Sequence, residues 1–204
     1  DADYVPRWYK GYSLGFRHMI RFVAMKMFEH PALTKYDYYW RLDSDSFLIS
    51  RVHVDPIAFM RKNDYKFGFI ATTTEKPEFT ADLWELHEAH RRNLGLVSEW
   101  FSGSWNGFSF YSNCEIARVD FWTQPMVKDY LQRIDEAGGI YKVRWSDAAI
   151  HFLATSIFLA AQEMVQLVFI PYWHHNVVIL PQPWSETRSQ HPDGTTKTRR
   201  GAEL

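Results

Sequence analysis

The chain has 204 residues, of which 46% are hydrophobic and 23% are charged, and its formal net charge is −1. These values are typical of a globular protein with a sizeable core, and the lack of a long basic block argues against a nucleic-acid partner, because phosphate binding needs clustered Lys and Arg. Cys114 is the single cysteine, which excludes an intrachain disulfide, and the sequence has neither a signal peptide nor an apolar run of membrane-spanning length.

The first half of the chain alternates helices with strands. Apolar spacing and turn residues predict, in order, a helix, a strand, a helix, a strand and a helix: residues 14–29, 36–42, 55–62, 66–72 and 80–93. His30-Pro31 ends the first helix, because a residue before proline disfavours the helical conformation. The first strand runs directly into Asp-Ser-Asp at 43–45, and the last helix is expected on the surface with Glu88 on its solvated side.

The second half continues the alternation after a polar loop at residues 102–106. It predicts a strand, two helices and a last strand: residues 107–111, 125–137, 147–159 and 166–170. Gly138-Gly139 closes the first of these helices, since glycine readily adopts the left-handed conformation that ends a helix. Residues 1–181 are therefore predicted to form one domain, and residues 182–204, rich in proline and polar side chains, an irregular tail.

Strands that alternate with helices predict an α/β domain with a mixed, mostly parallel sheet flanked by helices. Ligands of such sheets bind beyond the carboxyl ends of the strands. Aromatic residues are unusually frequent, at 17% of the chain. Flat rings with polar tips build cores, and they also build sites for amphipathic ligands such as sugars.

Asp43 and Asp45 follow the strand at residues 36–42 and form the first candidate site. Two carboxylates one residue apart on an extended segment point the same way, and a cation between them offsets their repulsion. Mg²⁺ and Mn²⁺ bind carboxylate oxygens, coordinate phosphates and neutralise charge on a departing diphosphate. The triplet equally suits a solvated turn with an Asx-type hydrogen bond, so the pattern alone leaves both interpretations open.

Three further places carry candidate catalytic or metal-binding groups. Glu115 follows a segment predicted to be a strand and its exit loop, where a carboxylate can act as nucleophile or stabilise charge, or be an ordinary surface residue. Asp147 and His151 lie four residues apart on one face of a predicted helix, which suits an acid–base pair or, equally, a helix N-terminal Asp and a core His. His174-His175 follows the last strand and is either a source of metal ligands or a surface pair.

Taken together, the sequence resembles glycosyltransferase family 15, the fungal-type α-1,2-mannosyltransferases of the Golgi. The matching segments occur in the order found in that family: residues 18–22, 36–43, 112–117, 135–139, 144–151 and 170–174. The resemblance implies a GT-A-like (Rossmann-like) fold, GDP-mannose as donor, Mn²⁺ as cofactor, and retaining transfer of mannose to a hydroxyl of a mannose-containing glycan or glycoprotein. It also implies a type II membrane protein of the Golgi lumen, with an anchor that is not present in this chain.

The resemblance also implies roles for individual residues. Asp43 takes the place of the family's metal-binding Glu, Asp45 is expected to share in metal binding, and His174 matches the metal-binding His. Glu115 matches a carboxylate that is nucleophile or stabiliser of an oxocarbenium-like transition state, and Asp147 an acidic residue beside the donor and acceptor sugars. The residues expected to bind donor or acceptor are Arg21, Arg41, Asn113, Trp145 and His151.

The chain departs from the family pattern in several places, among them residues 146–149, where the family's Gly-Asp-Ala-Pro is Ser-Asp-Ala-Ala. The family's Glu-Pro-Asp-type triplet is here Asp-Ser-Asp at 43–45, a tyrosine at the nucleotide is Phe16, and an aromatic residue is Cys114. The family's domain has an earlier portion, which includes the strand that holds the nucleotide base, and this portion is not seen before Asp1. An N-terminally truncated catalytic domain is therefore expected. A non-catalytic carbohydrate-binding domain and a metal-dependent hydrolase remain the alternatives.

Overall fold

The computed structural model of the protein describes residues 13–101 and 103–182. The helices are α1 (Leu14–Ala24), α2 (Pro31–Thr34), α3 (Pro56–Lys62), α4 (Leu83–Asn93), α5 (Val119–Thr123), α6 (Pro125–Ala137), α7 (Gly139–Lys142) and α8 (Asp147–Phe158). The strands are β1 (Tyr38–Leu42), β2 (Phe47–Leu48), β3 (Phe67–Phe69), β4 (Thr72–Thr74), β5 (Phe108–Phe110), β6 (Cys114–Arg118), β7 (Met164–Gln166), β8 (Tyr172–His174) and β9 (Val177–Ile179).

Four of these strands form the central sheet, in the order β1-β6-β3-β7. Strand β6 runs antiparallel to both β1 and β3, and only the β3–β7 pair is parallel. The mixed α/β class is therefore confirmed, but the expectation of a mostly parallel sheet is wrong for the described strands. The reason is β6: the sequence predicts no strand at residues 114–118, which follow a predicted strand and its exit loop, whereas these residues form a buried strand between two others.

The two faces of the central sheet carry separate apolar layers, because successive strand side chains alternate in direction. Tyr39 and Ala117 pack with α1, α6 and α8 on one face. Ile116 packs on the other face with Met60 of α3. Arg41 and Glu115 lie opposite each other in the β1–β6 pair and are on the same face of the sheet as Tyr39 and Ala117. They therefore face α8.

Several predicted elements match the structure closely. Helix α6 has the predicted bounds and ends at Gly138, whose φ of 71° is left-handed, and Asp55 caps α3 through its side chain. The first predicted helix ends early, at Ala24, and continues as a 3₁₀ turn, Lys26–Glu29, before His30 caps α2. Helix α4 is not fully solvated on its predicted outer side, because Glu88 is only 9% exposed.

The largest discrepancies lie near the carboxyl end of the described chain. The strand predicted at residues 166–170 is β7, which ends at Gln166. Strands β8 and β9 join β2 in a separate three-stranded sheet that the sequence did not predict. No helix among residues 13–101 and 103–182 is long and apolar enough to cross a lipid bilayer. The tail predicted at 182–204 lies outside the described residues except for Gln182, so the domain boundary stays a prediction.

Candidate active site

The candidate active site is at the edge of the central sheet where β1 ends and β6 begins. The backbone N–H of Asp43 donates to the carbonyl of Asn113 at 3.0 Å, which extends the β1–β6 pairing by one residue. The N–H of Ser46 then donates to the carbonyl of Asp43 at 2.9 Å, so the chain turns immediately after the strand. The expectation that Asp43 and Asp45 point the same way from an extended segment is therefore wrong. The turn directs their carboxylates to different partners.

Arg41 joins two of the predicted carboxylates. Its guanidinium donates from Nε and Nη2 to Oδ1 of Asp43, at 3.1 and 3.0 Å, and from Nη1 to Oδ2 of Asp147. Asn113 donates to the second oxygen of Asp43 at 2.5 Å, and Ser112 donates to Asp147 at 2.7 Å. A single buried cation therefore fixes two carboxylates that lie 104 positions apart, from residue 43 to residue 147.

Asp147 is held as a charged carboxylate in a buried position. It is the first residue of α8 and only 7% exposed. Burial by itself raises the pKa of Asp147, but the charges of Arg41 and His151 and the hydrogen bonds from Arg41 and Ser112 outweigh it, so the pKa lies below its ordinary value. A fixed anion of this kind can stabilise positive charge on a reacting group.

Glu115 lies deeper than the sequence predicted. It is the second residue of strand β6 and has 0% exposure, so it lies within a strand and not after an exit loop, and the alternative of an ordinary surface residue is wrong. The Tyr39 hydroxyl donates to its Oε1 at 2.7 Å, and Nδ1 of His151 lies 3.2 Å from its Oε2. The other ring nitrogen of His151 lies 3.2 Å from the carbonyl of Ala24. Both polar ends of His151 are therefore engaged inside the protein.

A possible metal-binding group lies at the adjoining turn and at the end of β8. Asp45, His174 and His175 each offer a ligand atom, and these atoms lie within 4.8 Å of one another. Oδ1 of Asp45 is 3.1 Å from Nε2 of His174, and Oδ2 is 3.1 Å from Nε2 of His175. The Tyr111 hydroxyl is 2.6 Å from Nδ1 of His174, which leaves Nε2 facing the carboxylate.

This set of donors suits a divalent cation, because first-row ions accept both carboxylate oxygen and neutral imidazole. A metal-binding imidazole normally donates its other ring N–H to an outer partner that fixes its orientation, and the contact between Nδ1 of His174 and the Tyr111 oxygen suits this role. Asp43 is not a member of this group, since both of its oxygens accept hydrogen bonds from Arg41 and Asn113.

Two of the residues expected to bind donor or acceptor lie apart from these contacts. Arg21 forms a two-fold salt bridge with Asp135 of α6, at 2.6 and 2.7 Å. Trp145 is 2% exposed and donates its indole N–H to the carbonyl of Ala81 at 2.8 Å. Arg21 does border an open cavity of about 350 Å³, whose other lining side chains include His18, Tyr141 and Lys142. Their binding roles stay predictions.

Sequence reasoning missed three hydroxyl groups that hold the site together. Tyr39 supports Glu115, Tyr111 supports His174 and Ser112 supports Asp147. The sequence alone could have identified Tyr39, because this residue is two positions from Arg41 on β1 and must lie on the same face of the strand. The other two depend on contacts between distant segments.

The chain is similar to proteins of known activity. Residues 7–193 match the family described as glycolipid 2-alpha-mannosyltransferase. The O-glycoside alpha-1,2-mannosyltransferase omh1 of Schizosaccharomyces pombe is 33% identical over 169 residues, which are 78% of this chain and 43% of that protein. The alpha-1,2 mannosyltransferase KTR1 of Saccharomyces cerevisiae is 33% identical over 174 residues, 80% of this chain and 44% of that protein. The chain thus spans less than half the length of these relatives.

Solved structures show the same fold. The Mn/GDP form of core-mannan synthase A (CmsA/Ktr4) from Aspergillus fumigatus gives a TM-score of 0.78 at 25% identity, over 83% of this chain and 50% of that one. The mannosyltransferase Ktr4p of S. cerevisiae in complex with GDP gives a TM-score of 0.77 at 24% identity, over 87% of this chain and 54% of that one. The α/β fold expected from the sequence is confirmed by this likeness.

Proposed function

The chain belongs to the glycolipid 2-alpha-mannosyltransferase family, and from that premise we propose that it is the catalytic part of a metal-dependent mannosyltransferase. The reaction is transfer of mannose from GDP-mannose to a hydroxyl of a mannose-containing glycan or glycoprotein, with retention and in α-1,2 linkage. The compartment is the Golgi lumen, and the protein is held at the membrane by an N-terminal anchor.

One observation carries the proposal: the groups needed for this chemistry converge on one edge of the sheet from three distant parts of the sequence. Asp43 and Asp45 come from the turn after β1, Asp147 from the start of α8 and His174 from the end of β8. Asp43 and Asp147 share Arg41, and Asp45 contacts His174. Asp43 and Asp45, which are separated by one residue, thereby connect the Arg41–Asp147 pair to the metal donors.

Asp45 and His174 would hold the ion, with Asp43 beside them and His175 as a further donor. We propose Mn²⁺ because the related core-mannan synthase A was solved in a Mn/GDP form. When bound, such an ion neutralises the negative charge that develops on the diphosphate leaving group.

The remaining groups would orient the substrates and stabilise the charge that develops on them. Asp147, kept anionic by Arg41, stabilises the positive charge that develops on the donor sugar or orients the acceptor hydroxyl. Asn113 fixes the carboxylate of Asp43. Arg21, Trp145 and His151 stay proposed donor or acceptor residues, of which Arg21 borders the open cavity.

Retention of configuration allows two mechanisms. Glu115 would either attack the sugar and form a covalent intermediate, as in retaining glycosidases, or only stabilise charge while the acceptor attacks from the front face. If Glu115 acts directly in the transition state, Glu115→Gln loses at least about a hundredfold in turnover.

The proposal is tested by transfer of label from radiolabelled GDP-mannose to a manno-oligosaccharide, with Mn²⁺ and with excess chelator. We expect transfer that depends on Mn²⁺. Full activity in excess chelator contradicts the metal requirement. Donor breakdown by water without transfer supports the hydrolase alternative. Sugar binding that needs neither nucleotide nor metal, without any turnover, supports a non-catalytic binding domain.

A further inference from the structure

We infer that Glu115 and His151 form a sealed pair that shares one proton, and that Glu115 is a positioning residue for this site and not the group that attacks the sugar. The kinetic side of this inference rests on the proposed mannosyl transfer. The structural side rests on the contacts of Glu115, which can be tested without any turnover.

The first argument is access to the carboxylate. Glu115 and His151 both have 0% exposure. The Tyr39 hydroxyl is 2.7 Å from Oε1, and Nδ1 of His151 lies 3.2 Å from each carboxylate oxygen. The Trp122 ring covers the imidazole, with 4.3 Å between ring centroids. An attacking oxygen must come within about 3–3.5 Å of the sugar carbon, and the space around both oxygens of Glu115 is occupied by protein.

The second argument is a proton count. The carbonyl of Ala24 can only accept a hydrogen bond, so the Nε2 atom of His151 that faces it carries a proton. Nδ1 then either carries a second proton, which it donates to an ionised Glu115, or accepts one from a protonated Glu115. In both cases one proton lies between Glu115 and His151, and the pair has no net charge. Both carboxylate oxygens are hydrogen-bonded, Oε1 to the Tyr39 hydroxyl and Oε2 to His151.

Burial supports the same donor arrangement. Tyr39 is 7% exposed, and burial together with the neighbouring Glu115 raises the pKa of its hydroxyl well above the ordinary value. The hydroxyl therefore keeps its proton and donates it to the carboxylate. Glu115 thus has a hydrogen-bond partner on each side, one from β1 and one from α8.

The third argument is what these contacts connect. Tyr39 is two residues before Arg41 on β1, and His151 is four residues after Asp147 on α8. Glu115 on β6 is the direct cross-strand neighbour of Arg41. Glu115 on β6 therefore fastens together β1 and α8, the two elements whose side chains meet in the Arg41–Asp147 pair. A small shift of α8 would move Asp147 away from Arg41, which is how a buried carboxylate can affect turnover without touching the sugar.

The test compares Glu115→Gln with Glu115→Ala. A glutamine oxygen still accepts from Tyr39, and its NH₂ group donates to Nδ1 of a neutral His151 that keeps its proton on Nε2. The uncharged pair therefore survives, and we expect Glu115→Gln to lose no more than about tenfold in kcat with an unchanged KM. Glu115→Ala leaves Tyr39 and His151 without partners, so it loses both activity and thermal stability, and glutamine restores both.

A measurement that needs no activity accompanies the kinetics. In ¹⁵N-histidine spectra of the wild type and of Glu115→Gln, we expect one ring Nε2–H that exchanges slowly with water. It is assigned by its loss in His151→Gln. The peptide that contains Glu115 is also examined by mass spectrometry after rapid quenching with GDP-mannose, and we expect no mannosyl adduct.

Three results overturn the inference: a mannosyl adduct on Glu115, a loss of a hundredfold or more in a stably folded Glu115→Gln, or rapid exchange of the His151 proton. If Glu115→Gln does not fold, the adduct and exchange measurements on the wild type decide. If the wild type transfers no mannose, the proposed function fails, and the exchange experiment still tests the sealed pair.

Discussion

Removing the guanidinium of Arg41 is the perturbation for which the structure gives the clearest magnitude. Its side chain is 10% exposed and binds two carboxylates, Asp43 and Asp147, whose side chains are 24% and 10% exposed. Arg41→Ala leaves Asp147 buried with one remaining hydrogen bond, from Ser112. Breaking a buried ion pair by removing one partner costs about 3–5 kcal/mol. For a domain of this size, that loss lowers Tm by about 6–20 °C.

The pH dependence of this loss has a definite sign. The pKa of Asp147 is lowered in the folded wild type, so its contribution to stability is present above the unfolded value of about 3.9 and is lost as the pH falls through the lower folded value. In Arg41→Ala, burial is no longer opposed by the guanidinium, and the folded pKa of Asp147 rises. The stability difference between the two proteins is therefore largest at neutral pH and narrows in acid.

Urea unfolding of the wild type and of Arg41→Ala at pH 7 and pH 4 measures this difference. Arg61→Ala is the matched control, because Arg61 pairs with Asp37 on the surface, where the two side chains are 62% and 78% exposed. Exposed pairs contribute no more than about 1 kcal/mol. Equal destabilisation by the two substitutions, or a difference that grows in acid, would refute the role assigned to Arg41.

The remaining predictions concern the core and the metal donors. Burial lowers the pKa of His87 to about 4, so the folded state loses stability as the pH falls from about 6.5 towards 4. His87→Phe should flatten this part of the curve in urea unfolding. An alanine Cβ at Gly139 would lie 2.2 Å from an indole ring, so Gly139→Ala should cost about 1–3 kcal/mol, whereas Gly15→Ala, in an open part of α1, should be neutral or stabilising in thermal melts. Tyr111→Phe removes the hydrogen bond to His174 and should weaken Mn²⁺ binding in calorimetry by about tenfold or more; an unchanged affinity contradicts that support.

The elements that the sequence predicted correctly are those determined by residues close together in the chain. Helix α6 begins with Pro125 and ends at Gly138, and both residues act through their own backbone preferences. Strand β1 was recognisable from its aromatic run and from the polar turn that follows it. The candidate residues in that turn, Asp43 and Asp45, were found for the same reason.

Where the sequence failed, the determining contacts were distant. Strand β6 contains a glutamate as its second residue, which argues against a buried strand until Tyr39 and His151 are known to satisfy the carboxylate. Strands β2 and β8 have two and three residues, too few for any alternating pattern to be recognised. Their pairing brings His174 next to Asp45, so this contact between donors was not readable from either segment alone.

Electron paramagnetic resonance of Mn²⁺ added to the purified protein tests the central claim most directly. The convergence of Asp45 and His174 predicts a bound ion whose spectrum contains couplings to imidazole nitrogen. These couplings should weaken in His174→Ala and persist in His53→Ala, a control at an exposed histidine. A spectrum of free Mn²⁺ in the wild type, or nitrogen couplings that His174→Ala leaves unchanged, would contradict the account.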